Sequence, residues 1–190
     1  MSPPGGADFA TGTGMIRVSV VVPAYNESNT IIGLLETVRE QRIDGVEIEV
    51  IVIDDGSGDG TGDLLEAHDG LYDKLIRRPV NGGKGAAVLD ALKVASGDYV
   101  LFQDADREYN PEQYGDLLWP VLEFDAEIVI GSRLVAPSFT RVSYFWHKVG
   151  NRSITLLFNI FYNTTFTDIY SCYLLYRRDL VDPLSLTTRG

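Results

Sequence analysis

The chain carries one cysteine, Cys172, among its 190 residues. A lone thiol excludes an internal disulfide framework and fits a reducing compartment. Nothing beside Cys172 in sequence is set to lower its pKa, so it reads as a packed small side chain and not as a nucleophile. Histidine is scarce too: His68 and His147 are the 2 present, and neither has another His or a Cys at metal-ligand spacing. No apolar run reaches the roughly eighteen residues of a membrane span. Residues 1–14 lack the basic start and apolar stretch of a signal peptide, and their Gly/Pro-rich composition predicts a disordered tail. Positive charge is in deficit. The formal net charge of -11 disfavours nucleic-acid binding. A G-x-S-x-G element, which serine hydrolase chemistry of the α/β type needs, is missing, as is any internal repeat.

What is present is a chain that is 45% hydrophobic, enough for one substantial core and one domain over residues 15–190. Ile16 to Val22 is β-branched and closed by Pro23, which predicts a central strand. Ile31, Ile32, Leu34, Leu35 and Val38 recur at helical spacing after the capping candidates Asn26 to Asn29. Val46 to Ile53 reads as a second strand, followed by a short helix around Asp63 to His68. Lys74 to Arg77 is a weak third strand, and Lys84 to Ala95 an Ala-rich helix. Tyr99 to Gln103 is a fourth strand, buried on both faces. A helix opening near Pro111, a fifth strand over Ile128 to Ile130, a sixth over Tyr173 to Tyr176 and a helix beginning at Arg178 complete the series. This alternation predicts an α/β layer structure with a mainly parallel sheet, in which ligands sit outside the carboxyl ends of the strands.

Chemistry-bearing residues collect at those ends. Asp104 and Asp106 follow the fourth strand. If extended geometry continues through Ala105, both carboxylates point the same way, and two like charges so placed call for a cation between them. Mg²⁺ or Mn²⁺ suits such hard oxygen ligands; the alternative is a solvated turn. Asp54-Asp55-Gly56-Ser57 after the second strand is either a base- and ribose-binding edge or a glycine-rich loop with Asp as a helix cap. Asn81-Gly82-Gly83-Lys84-Gly85 lacks the Walker pattern, leaving Lys84 as an anion site at a helix start or as a solvated cap. Glu108 either completes a metal shell or lies in solvent. Arg133 is either a diphosphate partner or a surface charge. Asp168, in apolar company, is either a structural carboxylate or a general base tuned by its surroundings. From Arg133 to Arg152 the ionisable side chains are basic or histidine, with no carboxylate among them. Residues 142–166 are aromatic-rich, and pack either on the sheet or against a membrane surface.

Taken in order, Val20-Val21-Val22-Pro23-Ala24-Tyr25-Asn26-Glu27, Asp54-Asp55-Gly56-Ser57 with Asp59-Gly60-Thr61, Asn81-Gly82-Gly83-Lys84-Gly85 and Gly97-Asp98-Tyr99 leading to Asp104-Ala105-Asp106 resemble the family 2 glycosyltransferases. The likeness is strongest to the polyprenyl-phosphate branch, the dolichol-phosphate mannose synthase-like enzymes. Gly131-Ser132-Arg133, Gly150-Asn151-Arg152, and Thr167-Asp168 before Ser171-Cys172-Tyr173 extend it from about Ile16 to the end of the chain. The resemblance implies a GT-A (Rossmann-like) three-layer fold and inverting transfer of a hexose from a UDP- or GDP-sugar to a polyprenyl (dolichyl or undecaprenyl) phosphate. It implies that Pro23, Tyr25, Glu27 and Asp55 hold the base and ribose, with Ala24 also at the nucleotide sugar and Lys84 nearby. Asp104, Ala105 and Asp106 would meet the diphosphate, and Asp104, Asp106 and Glu108 the metal, Mg²⁺ or Mn²⁺. Arg133 would meet the diphosphate or the lipid phosphate, and Asp168 and Asp106 would be the catalytic residues, Asp168 as the base or an orienting group. It also implies that 142–166 is a membrane-interface and acceptor segment, that the protein works on the cytoplasmic face of a membrane, and that the domain continues past Gly190. The alternatives are a soluble glycan or small-molecule acceptor, and a non-catalytic nucleotide-sugar binding fragment.

Overall fold

A computed structural model describes residues 14–106, 109–131, 145–163, 165–166, 173–183 and 185–186. Its sheet has six strands in the order β3-β2-β1-β4-β6-β5. They are β1 (Ile16–Ala24), β2 (Val46–Asp54), β3 (Lys74–Arg77), β4 (Tyr99–Phe102), β5 (Ile128–Ile130) and β6 (Leu174–Arg177). β1 pairs in parallel with β2 and β4, and β2 with β3. β6 runs antiparallel between β4 and β5, so strand order departs from chain order on that side. The chain thus winds outward from β1 through β2 and β3, then returns to lay β4 on β1's other flank. Loops leaving β1, β2 and β4 border one crevice at the strands' carboxyl ends.

The β-branched run of β1 is explained by burial on both faces: Val18, Val20, Val21 and Val22 are all at 0% exposure. Val18, Val20, Val22, Val50 and Val52 pack on one side with Ile31, Leu34, Leu35 and Val38 of α1 (Ile31–Glu40). Leu65 of α2 (Thr61–Ala67) and Tyr114, Leu117, Leu118 and Val121 of α4 (Tyr114–Phe124) join the same cluster. Val21, Ile51, Ile53 and Val100 face the other way, onto Ala87, Ala91 and Leu92 of α3 (Lys84–Val94). The small side chains of α3 let that helix lie close to the sheet. Helix, sheet and helix make three layers.

Three expectations change in detail. α1 starts at Ile31 with no side-chain cap on its amides, because Asn26 and the Glu27 carboxylate are engaged in the preceding loop. Pro111 opens a single tight turn capped by Asn110, and α4 begins only at Tyr114. The helix expected from Arg178 is one turn, Arg178–Leu180. The aromatic segment forms a single helix, α5 (Phe145–Tyr162). The predicted tail, apart from Gly14, lies outside the described residues, as do 142–144.

Candidate active site

Two loops at the carboxyl edge are laced together by short polar side chains. The Asn26 amide donates to Ser57 Oγ at 2.9 Å, and Asn26 Oδ1 accepts the Gly58 N–H at 2.9 Å. Asn26 sits at φ 57°, a left-handed conformation that Asn tolerates well. The Glu27 N–H donates to Thr61 Oγ1 at 2.9 Å, and the Ser28 N–H to Asp59 Oδ2 at 3.0 Å. The Thr61 hydroxyl, with the Ser28 and Thr61 amides, holds the Asp59 carboxyl far below the usual range, against a smaller opposing effect of burial. Asp59 therefore braces the loop. Gly56 (φ 70°) lets the second loop touch the third: a Cβ there would lie 2.8 Å from the Asn81 amide nitrogen.

The acidic pair after β2 divides its duties. Asp54 is structural, with Oδ1 accepting the Ser57 N–H at 3.0 Å and Oδ2 lying 3.6 Å from Arg77. Asp55 faces the crevice. Its Oδ1 accepts from Arg78 at 2.5 Å and from the Gly82 N–H at 3.1 Å. Oδ2 receives no protein donor among the described residues and is the oxygen left for a ligand. Arg78 also pairs with Asp90 of α3 at 3.2 Å.

β4 ends at Phe102, and the chain turns at Ala105 and Asp106 instead of staying extended. The simple alternation argument for Asp104 and Asp106 therefore fails, yet both residues border the crevice. Gln103, wholly buried, shapes that turn. Its Nε2 donates to the carbonyls of Asp104 at 3.0 Å and Tyr109 at 2.9 Å, and its Oε1 accepts from Tyr114 at 3.0 Å. Burial pushes the Tyr114 hydroxyl well above its usual pKa, so it stays a donor and fixes which end of the Gln103 amide faces the turn.

The resulting cleft, about 360 Å³, is lined by Pro23, Ala24, Tyr25, Glu27, Asp55, Asn81, Gly83, Lys84, Ala87, Asp104, Ala105 and Asp106. Every residue expected around the nucleotide sugar, Arg133 excepted, borders this one space. Arg133, Glu108 and Asp168 lie outside the described residues. Arg78, Gln103 and Ala87 were not singled out as site residues by sequence. A buried carboxylate such as Asp55 needs a cation beside it, and that requirement was the available signal for Arg78.

The donor set suits a hard divalent cation. Asp104 and Asp106 both line the cleft, and the Lys84 ammonium lies against Asp104 Oδ1, so that oxygen already faces a positive charge. Among the described residues no cluster of three His, Cys, Asp or Glu closes a metal shell. Two carboxylates leave coordination positions for phosphate oxygens and water.

The sequence matches the family described as "Glycosyl transferase family 2" over residues 19–184. It is 34% identical over 121 residues to the dolichol-phosphate mannosyltransferase of Pyrococcus furiosus, covering 63% of this chain and 34% of that protein. It is 30% identical over 174 residues to the low-salt glycan biosynthesis hexosyltransferase Agl6 of Haloferax volcanii, covering 91% of this chain and 41% of the relative. The chain thus spans less than half the length of either. The glucosyl-3-phosphoglycerate synthase of Mycobacterium tuberculosis, solved with Mn²⁺, UDP and glucosyl-3-phosphoglycerate, superposes with a TM-score of 0.63 at 26% identity. That match covers 87% of this chain and 58% of the synthase.

Proposed function

The chain belongs to glycosyl transferase family 2, and from that premise we propose that it transfers a hexose from a nucleoside-diphosphate sugar to a polyprenyl phosphate, with inversion, at the crevice between β1 and β4. Pro23, Ala24, Tyr25, Glu27 and Asp55 hold the base and ribose. Asp104 and Asp106, with Glu108, would hold Mg²⁺ or Mn²⁺ to neutralise the diphosphate, with Ala105 also lining that part of the cleft. Bound there, the cation supplies positive charge against the departing diphosphate, where most negative charge develops. Lys84 adds a second positive group on the same side. An acceptor phosphate oxygen is already anionic, so its attack on the anomeric carbon needs little help from a base. Asp168 then orients the acceptor or takes a proton where one is present, and Arg133 meets a phosphate.

The site's hydrogen bonding supports a uracil base over guanine. Uracil offers one N–H between two carbonyls, whereas guanine presents two adjacent donors. Asp55 Oδ1 is filled by Arg78 and Gly82, so the two oxygens cannot pair side by side with guanine's two donors, whereas Oδ2 alone serves uracil's one. UDP is also the nucleotide in the structurally similar glucosyl-3-phosphoglycerate synthase.

The observation that carries the lipid acceptor is the inverted surface of α5. Its buried stripe is largely polar: Thr155 is 5% exposed, and Asn151 and Asn159 are half-buried. Leu156 at 60%, Leu157, Ile160, Phe161 at 78% and Tyr162 face outward. The helix contains no Asp or Glu, and Arg152 is exposed. No helix among the described residues is long and apolar enough to cross a membrane. An apolar face with a basic flank suits a helix lying in the headgroup region, here at the cytoplasmic face. The similarity to a dolichol-phosphate mannosyltransferase supports the same reading. A soluble acceptor is the second reading, supported by the likeness to the phosphoglycerate-dependent synthase. Radiolabelled UDP-hexose incubated with polyprenyl phosphate separates the two. Label entering the organic phase is the expected result, and label that stays aqueous with every lipid while reaching a soluble acceptor refutes the lipid reading.

A further inference from the structure

Lys84 is the first residue of α3, directly after Gly83. A cation in the first turn opposes the helix dipole, so helix stability does not explain its presence. Its ammonium instead lies in the cleft against Asp104 Oδ1. Both partners reach solvent, the Lys84 side chain at 50% and that of Asp104 at 16%, so the contact can open without exposing core. Asp104 itself is presented by a rigid support, since Gln103 holds its carbonyl.

We propose that Lys84 is a resident counter-cation for Asp104, which a divalent metal must displace, and that the displaced ammonium then serves the nucleotide's phosphates. The inference rests on the reading of Asp104 as a metal ligand. A lysine ammonium and a doubly charged ion on one carboxylate repel each other strongly at such separations. Metal alone therefore competes with Lys84. A nucleoside diphosphate changes the balance, because it gives the released ammonium a new anionic partner while adding oxygens to the metal. Metal and nucleotide then bind better together than apart, each raising the other's affinity by the same factor.

The test titrates Mn²⁺ alone, then with UDP, into the wild-type protein and into Lys84→Met, Lys84→Arg and Asp104→Asn, following free Mn²⁺ by electron paramagnetic resonance. Lys84→Met is expected to bind Mn²⁺ alone about three- to fivefold more tightly, the effect of deleting a partly exposed ion pair. Lys84→Arg, which keeps the charge, should bind it as weakly as wild type, and UDP should raise Mn²⁺ affinity more in wild type than in Lys84→Met. If Lys84→Met melts below the titration temperature, Lys84→Gln carries the same expectation. A neutral variant that binds Mn²⁺ no more tightly than wild type overturns the counter-cation role. Asp104→Asn tests the underlying assignment separately: if it binds Mn²⁺ like wild type, Asp104 is not a ligand, whatever Lys84 does.

Discussion

Replacing Glu49 by Gln should weaken the fold by an amount that shrinks as the solution is acidified. Glu49 sits near the start of β2, opposite Ser19 of β1. It is 7% exposed. Its carboxylate accepts from Ser19 Oγ at 2.5 Å, Ser96 Oγ at 2.8 Å and the Ser96 N–H at 3.0 Å, and pairs with Lys74 at 2.8 Å. Burial alone would raise its pKa, but Lys74, Ser19 and Ser96 together outweigh burial and bring it from 4.5 down to about 2. At about 1.36 kcal/mol per pH unit that is about 3 kcal/mol, which screening around Lys74, 37% exposed, trims to about 2–3 kcal/mol. The folded pKa is depressed, so this stability is present above pH 4.5 and is lost as pH falls toward 2. Urea unfolding followed by circular dichroism should therefore show Glu49→Gln about 2–3 kcal/mol less stable at pH 7, with roughly half that gap left at pH 3. A gap that stays constant from pH 7 to pH 3 would refute the reasoning, because the lost contribution would then not be the ionised carboxylate. UDP binding by the folded variant should be unchanged, since Glu49 lies at the end of the sheet remote from the cleft.

Gly97→Ala should cost about 2–3 kcal/mol in the same unfolding assay, because its Cβ would lie 2.6 Å from the Ser19 backbone nitrogen. Wild-type stability retained in that variant would show that the turn before β4 can move. Calorimetry with Mn²⁺ present should find UDP bound at least about tenfold more tightly than GDP, the cost of leaving one guanine donor unpaired; equal affinities would remove the Asp55 argument. Leu157→Glu combined with Phe161→Glu should abolish flotation with phosphatidylglycerol vesicles while leaving UDP binding intact, as both side chains are exposed on α5. Unaltered flotation would remove α5 as the membrane-facing element of the proposal.

The parts of the structure that sequence made legible are those ruled by local patterns. The β-branched run of β1, the ends of β3 and β5 and the small-residue face of α3 all follow from burial and period. Residues at strand ends could be assigned to one edge because parallel strands share a direction, and that alone gathers Tyr25, Asp55 and Asp104. Topology was harder. Nothing local in Leu174–Arg177 says that it reverses and inserts between β4 and β5. The turn at Ala105 was also illegible, because it depends on Gln103 finding the Tyr109 carbonyl and the Tyr114 hydroxyl, both brought there by packing.

The same distinction separates the two aspartates after β2. In sequence Asp54 and Asp55 are equivalent neighbours. Strand alternation sends one toward Arg77 and the α2 side, the other toward Arg78 and the cleft. Two consecutive arginines at the end of β3 meet two consecutive aspartates at the end of β2, in parallel register, Asp54 opposite Arg77. One pair ties β3 to α2 through Asp63 and Glu66, while the other leaves a carboxylate oxygen open to a ligand. Exchanging the pair's duties would require a one-residue slip between β2 and β3, which would also turn Ile51 and Ile53 off the α3 face. Core packing against α3 therefore sets which aspartate can reach the cleft.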